Sequence, residues 1–301
     1  RAKTSTLETR KINSTERSGS HLVKTSLDKT KIHNEYLWFK SIPDSLIQFI
    51  PAVWSDNNGK ESYNIEYIPS PTLQEKFVFG KHSVDYKISL LDSILHLLQK
   101  CNEEMTYKTF ELEKFREYRK YLYSVKTINR LDDFKNSTNL DLDLNFKLND
   151  IKATSFNSFF KSLIHELDEV IEKFTVNELG FMHGDFCLSN MIHIKNNGLI
   201  KMIDPRGNDK KYRNWPGCCG DPLYDLIKLS HSIIGNYDTI ICKRFNLIEL
   251  RDNVIQLEID SVGCIEMHSK IYEYAKNEFG ILDIDLNTLV AGLFVSIYLV
   301  R

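Results

Sequence analysis

Asp185, Asn190 and Asp204 stand at D-x4-N and N-x13-D spacing within residues 183–204, HGDFCLSNMIHIKNNGLIKMID. Two carboxylates and a carboxamide suit a hard divalent cation beside a general base, the set of groups that phosphoryl transfer requires. Fourteen positions separate Asn190 from Asp204, so the chain between them must fold back. Met191–Ile194 and Leu199–Ile203 are rich in β-formers, and Lys195-Asn196-Asn197-Gly198 lies between them. An Asn-Gly pair in that setting predicts a hairpin with positive φ angles at its turn. Its closure would return Asp204 to the side of Asn190.

His183-Gly184-Asp185, Asn190 and Ile203-Asp204-Pro205 resemble the catalytic segment of the aminoglycoside phosphotransferase and choline kinase superfamily, small-molecule relatives of the protein kinases. The continuation Arg206-Gly207 and Gly220-Asp221-Pro222-Leu223-Tyr224-Asp225-Leu226 is similar to a bacterial branch associated with capsule and surface-polysaccharide synthesis. The resemblance is sharp over residues 181–232, diffuse but in register over 20–75, and weak elsewhere. It implies an α+β, two-lobed protein-kinase-like fold: residues 1–69 form a small β-rich nucleotide lobe, and residues 70–301 a mainly helical lobe carrying the catalytic loop and metal site. Nucleotide would lie between the lobes.

Under this resemblance Asp185 is the base that accepts the proton of a substrate hydroxyl, and Asn190 and Asp204 hold Mg2+ or Mn2+. Each has a plainer alternative: a turn-capping carboxylate for Asp185, an Asx turn for Asn190, and an ion pair with Arg206 for Asp204. Lys24, in the strand-like run Leu22-Val23-Lys24, would contact the nucleotide phosphates, with Glu35 on the following helix as its ion-pair partner. Lys29 and Lys31 compete for that role, and a surface Lys–Glu pair would contribute little. The backbone of Glu66 and Ile68 would read the base of ATP or GTP. No G-x-G-x-x-G occurs, and the polar turn expected over Asn13–Ser20, with Ser14, Thr15, Ser18 and Ser20, stands in its place. Arg206, Trp215, Asp221 and His231 are candidates for lining an acceptor site, against loop ion pairs for Arg206 and Asp221 and helix packing for His231. Trp54 and Tyr212 are further aromatic candidates, with a core position the default for Trp54. His183 is expected to pack and to hydrogen-bond backbone, and His193 to lie at the surface.

The 301 residues are 42% hydrophobic and 27% charged with a net charge of −2, an ordinary globular composition with no field favouring nucleic acid or an anionic membrane. The first 31 residues are locally basic, with eight Lys or Arg against three acids. This is a solvated face or a strip attracting nucleotide phosphates. Six cysteines without C-x-x-C spacing read as free thiols in a cytoplasmic, reducing setting. No signal peptide is evident, and Leu286–Val300 is too short and too interrupted for a membrane span. Fusion to, or association with, another biosynthetic enzyme such as a nucleotidyltransferase is compatible with the chain ends.

The elements that must position these groups follow from periodicity. Thr4–Leu7, His21–Thr25 and Ser62–Ile68 read as strands, and residues 30–40 as a helix. Pro69-Ser70-Pro71 marks a hinge. Apolar residues at helical spacing predict helices over Val84–Gln99, Phe156–Phe174, Asp225–Ile234 and Leu286–Val300. Leu131–Asp150 reads as a loop.

The expected activity is Mg-dependent transfer of the γ-phosphate of ATP or GTP to a hydroxyl of a small molecule, a sugar or amino alcohol used for capsule or surface polysaccharide. The competing readings are an aminoglycoside-type antibiotic phosphotransferase and a catalytically silent kinase-like module that binds nucleotide or a partner.

Overall fold

The structure, a computed structural model, describes residues 13–104, 107–108, 112–149, 151, 154–174, 178–206, 217–249 and 253–298. The expectations for Thr4–Leu7, Tyr212 and Trp215 fall outside the described residues. The chain is mixed α+β, β-rich near its N-terminus and mainly helical afterwards. It divides into two compact units: Arg1–His82 with Ser89–Tyr107 and Leu179–Asp225, and Ser83–Ile88 with Lys108–Glu178 and Leu226–Arg301. Residues 179–225, the segment carrying Asp185, Asn190 and Asp204, thus group with the N-terminal sheet.

In the first unit, β1 (Asn13–Ser18), β2 (His21–Ser26), β3 (Val53–Trp54) and β4 (Ser62–Glu66) form an antiparallel sheet in the order β1-β2-β4-β3. The expected polar turn over Asn13–Ser20 is therefore mostly strand. Thr15 pairs with Lys24 and Ser18 with His21, leaving only Gly19-Ser20 as the turn. Gly19 has φ +63, the conformation a two-residue II′ hairpin requires at its first turn position. β-Propensity of the Thr and Ser side chains and a continuous ladder to β2 outweighed their polarity. Trp54 lies at the edge of this sheet and is 41% exposed, so it is no core residue. Its ring meets His21 edge-on at 5.3 Å.

Helix α1 (Lys29–Lys40) starts where Asp28 accepts hydrogen bonds from the Thr30 and Lys31 amides, an N-cap supplied by the sequence itself. It buries Ile32, Glu35, Tyr36, Trp38 and Phe39. Helix α2 (Leu73–Val78) opens with a capping box between Thr72 and Glu75, and α3 spans Val84–Glu104. Further on, β7 (Glu178–Phe181) leads into the catalytic segment. There β8 (Met191–His193) pairs with β9 (Ile200–Met202), and β10 (Cys219–Gly220) pairs back on β7, whose other edge carries β5 (Tyr107–Lys108). Helix α7 (Pro222–Ile233) follows. In the β8–β9 connection only Gly198 has positive φ, at +72, so the Asn-Gly pair does not supply two left-handed residues. Leu199 instead donates its N–H to the Asn197 side chain, an Asx-type closure of a longer loop.

In the second unit, α4 (Leu112–Lys120) runs through a π-helical turn at Tyr121–Val125 into α5 (Lys126–Ser137). The expected loop over Leu131–Asp150 is thus helical as far as Ser137. Arg130 and Leu131 continue an amphipathic face whose core contact outweighs the acidic composition. Helix α6 (Phe156–Glu172) and α10 (Asp283–Tyr298) pack through Leu163, Leu167, Leu289 and Leu293. A Cβ at Gly292 would meet Leu167 Cδ1 at 2.8 Å, so glycine permits the close approach of the two helices. A short strand, β6 (Lys147–Leu148), joins the hairpin of β11 (Phe245–Glu249) and β12 (Val254–Ile259), and α8 (Tyr237–Ile241) and α9 (Ile265–Phe279) complete the unit. Among the described residues no single helix is long and apolar enough to cross a membrane. None of the six cysteines is joined in a disulfide.

Candidate functional site

Every residue of the central constellation belongs to the first unit. Lys24 points inward from β2, and its side chain is 5% exposed. Its ammonium contacts Glu35 Oε2 at 2.6 Å and Asp204 Oδ1 at 2.7 Å. Burial by itself would lower the lysine pKa. The Asp204 and Glu35 carboxylates outweigh burial and hold the pKa well above its ordinary value. Tyr63, buried on β4, donates its hydroxyl to Glu35 Oε2 at 3.0 Å. Burial raises the Tyr63 pKa well above the usual range, so it stays a donor. Lys31, one turn before Glu35, lies 3.7 Å from Glu35 Oε1. The Lys24–Glu35 pair expected from strand and helix context is formed. The Lys24–Asp204 contact was not foreseen, since sequence spacing offered Arg206 as the partner of Asp204.

The catalytic segment is held from several sides. Trp38 of α1, fully buried, donates its indole N–H to the Met182 carbonyl at 2.8 Å. Asp225, fully buried in the first turn of α7, accepts the His183 amide on Oδ2 and the Gly184 amide on Oδ1 at 2.9 Å. Gly184 has φ +78, and a Cβ there would meet Arg206 Cβ at 3.0 Å, so this position of the HGD run requires glycine. His183 is fully buried, packs edge-on against Trp38 at 5.2 Å, and accepts the Asp185 N–H on Nδ1. Burial lowers its pKa to about 4, so it is neutral near pH 7 and a weak proton acceptor.

Backbone closure brings the chain at Ile203–Arg206 back beside Asn190 and His183. Ile203 donates to the Asn190 carbonyl at 2.9 Å and Arg206 donates to the His183 carbonyl at 2.9 Å. Asn190 donates its side-chain N–H to the Asp185 carbonyl at 2.9 Å, which turns its amide oxygen away from that carbonyl. Asp204 has φ +56, a left-handed turn uncommon outside glycine. It redirects the chain so that Arg206 reaches the Asp185 loop. The Arg206 guanidinium lies 3.4 Å from Asp185 Oδ2, and that carboxylate raises the Arg206 pKa.

Asp204 is half-exposed, and Oδ2 carries no hydrogen bond to a described residue. The described residues hold no cluster of three His, Cys, Asp or Glu suited to a metal. A carboxylate and an amide oxygen do fit an ion that takes most of its ligands from phosphate and water. At the end of β4, the Glu66 amide is taken by the Ala52 carbonyl and its carboxylate accepts the Ala52 amide. The Ile68 N–H has no partner among the described residues. Arg17, on the β1–β2 hairpin, covers the Tyr67 ring at 4.1 Å.

Two candidate acceptor residues have interior surroundings. Asp221 is fully buried and its Oδ1 accepts the Leu223 amide at the start of α7. His231 is fully buried, its ring centroid 4.1 Å from Phe294 and 4.2 Å from Tyr237. His193 is not a free surface residue either, since Lys76 of α2 meets its Nδ1 at 2.8 Å. Asp225 was read only as a helix-start acid, because no local signal marks a bond to amides 41 and 42 positions away.

No protein-family model matches the sequence, and no curated protein sequence matches it significantly. Solved structures do match. A glucosamine kinase in complex with glucosamine, ADP and inorganic phosphate aligns over 95% of this chain and 68% of its own, at 12% identity and a TM-score of 0.52. A Ralstonia eutropha protein assigned as an aminoglycoside phosphotransferase aligns over 98% of this chain and 83% of its own, at 9% identity and a TM-score of 0.51. The chain has the fold of the small-molecule kinases. A choline/ethanolamine kinase family protein from Mesorhizobium loti also aligns, over 96% of this chain and 75% of its own, at 13% identity and a TM-score of 0.49. At these identities the kinase-like fold is what is shared, and the chemistry must be argued from the side chains.

Proposed function

We propose that the protein is a small-molecule kinase that transfers the γ-phosphate of ATP or GTP to a hydroxyl of a sugar or amino alcohol. The observation that carries this reading is the buried Lys24, paired at 2.6 Å with Glu35 and at 2.7 Å with Asp204 on a segment tied by backbone bonds to Asp185. Lys24 is the phosphate-binding cation and Glu35 fixes its position. The Glu66 carbonyl and the Ile68 amide receive the base. Asp185 orients the acceptor hydroxyl and takes its proton as the acceptor oxygen bonds to the γ-phosphorus. The bond from that phosphorus to the bridging oxygen breaks, and the nucleoside diphosphate leaves. Arg206, beside Asp185, steadies the carboxylate in its ionised form. Asn190 and Asp204 would hold Mg2+ or Mn2+, which when bound offsets charge on the phosphates. The fold shared with a protein that holds glucosamine and ADP supports the sugar or amino-alcohol class. The capsule and surface-polysaccharide setting rests on the Ile203-Asp204-Pro205-Arg206-Gly207 and Gly220-Asp221-Pro222 patterns. An aminoglycoside acceptor is the rival substrate class.

The test is a panel of sugars, amino alcohols and aminoglycosides assayed with Mg·ATP and Mg·GTP for phosphorylated product. A productive acceptor should lose turnover by about 10²-fold or more in Asp185→Ala, with nucleotide binding retained. Nucleotide binding without turnover on any acceptor, equal in wild type and Asp185→Ala, would replace this reading by a silent nucleotide-binding module.

A further inference from the structure

Lys31 is electrostatically misplaced as a structural residue. It occupies the first turn of α1, where its amide is capped by Asp28 and where the helix dipole disfavours a cation. Its partner Glu35 lies on the C-terminal side, the weaker orientation for a Lys–Glu pair on a helix. The 3.7 Å separation exceeds that of a closed charge-assisted hydrogen bond. Glu35 Oε2 is already engaged by Lys24 at 2.6 Å and by Tyr63 at 3.0 Å. Partial burial lowers the Lys31 pKa, with Lys24 and Arg206 adding like charge and Glu35 and Asp204 opposing it. The charges that act on this ammonium therefore come from both β2 and the Asp204–Arg206 segment. Its side chain keeps 38% of its surface, so it is loosely held and reachable.

Resting on the kinase reading, we infer that Lys31 is a second phosphate-contacting cation, engaging the terminal phosphate of the bound nucleotide while Lys24 engages the inner ones. A bound triphosphate gives the Lys31 ammonium the close partner that Glu35, at 3.7 Å, does not. Lys31 and Lys24 share the Glu35 carboxylate, at 3.7 Å from Oε1 and 2.6 Å from Oε2, so a phosphate chain held by Lys24 extends within reach of Lys31. No bond is made or broken by Lys31: its work is positioning and charge neutralisation.

The experiment compares Mg·ATP and Mg·ADP binding by calorimetry in wild type, Lys31→Met and Lys31→Arg. Lys31→Met should bind ATP about tenfold more weakly while ADP affinity stays within about twofold, and Lys31→Arg should recover most of the ATP affinity. Thermal melting of Lys31→Met should be unchanged or slightly raised, which a structural ion pair would not give. Equal losses for ATP and ADP, or no loss for either, would overturn the inference while leaving the kinase reading intact as long as the wild type binds both nucleotides. Absence of nucleotide binding by the wild type would overturn the kinase reading and this inference together.

Discussion

Replacing Asp225 isolates the contribution of a group that touches neither nucleotide nor acceptor. Its carboxylate accepts two consecutive backbone amides, His183 and Gly184, in a fully buried setting. Asp225→Ala leaves both N–H groups without an acceptor, at a cost of about 1–3 kcal/mol each, which approaches the whole stability of an ordinary domain. Asp225→Asn is the more informative change. It keeps shape and one accepting oxygen but presents an NH2 group to the other amide, so about 2 kcal/mol should be lost. Urea denaturation measures that loss, and hydrogen exchange localises it. Exchange at the amides of His183 and Gly184 should accelerate, while amides in the centre of α1 change only in step with global stability. Turnover should fall more than nucleotide affinity, because Lys24 and Glu35 are untouched while the Asp185 loop loosens. A variant within about 0.5 kcal/mol of wild type, with unaltered exchange at residues 183 and 184, would refute the argument that Asp225 holds this loop.

Three further outcomes follow. His183 titrates at about 4 in the folded chain and at about 6.5 when unfolded. Between those values only the unfolded chain binds the proton, so stability falls as pH drops from about 6.5 towards 4, by up to about 3 kcal/mol. His183→Phe should flatten that slope in denaturation curves taken across the window, and an unchanged slope would contradict the assignment. Gly184→Ala combines φ +78 with a Cβ 3.0 Å from Arg206 Cβ; it should lose about 1–2 kcal/mol in thermal melts and depress turnover, and a variant as stable as wild type would show that the loop relaxes freely. Asp204→Ala should abolish metal-dependent turnover and weaken the metal dependence of nucleotide binding, so retained activity in a standard acceptor assay would count against Asp204 as a metal ligand.

Local signals carried the sequence reading where chemistry is local. Asn197-Gly198 between two β-forming runs marked the β8–β9 hairpin, and helical spacing of Ile32, Tyr36 and Phe39 marked α1. Lys24 and Glu35 were legible as a pair because a strand and the helix after it place them within reach. Two of the misses have their physical origin in long-range partners. Asp204 met Lys24, 180 positions away, although Arg206 lay nearer in sequence. Asp225 looked like an ordinary helix-start acid. Asp221 and His231 looked available for a ligand until burial showed one capping α7 and the other packed among aromatic rings. Asn13–Ser18 looked like a turn by composition, because polar Ser and Thr suit exposed strands as well as loops.

Lys24 sits between two carboxylates, and this bears on how the protein should be disabled in the laboratory. The habitual choice for a kinase-like chain is to neutralise that lysine. Here Lys24→Met would strand Glu35, almost wholly out of contact with solvent, opposite Asp204 with their shared counter-charge gone, and stripping one partner from a buried ion pair costs about 3–5 kcal/mol. A dead Lys24 variant thus confounds lost chemistry with a damaged scaffold. Asp185→Asn keeps the volume of the side chain, leaves the Lys24 pairings in place, and is the sounder inactive control.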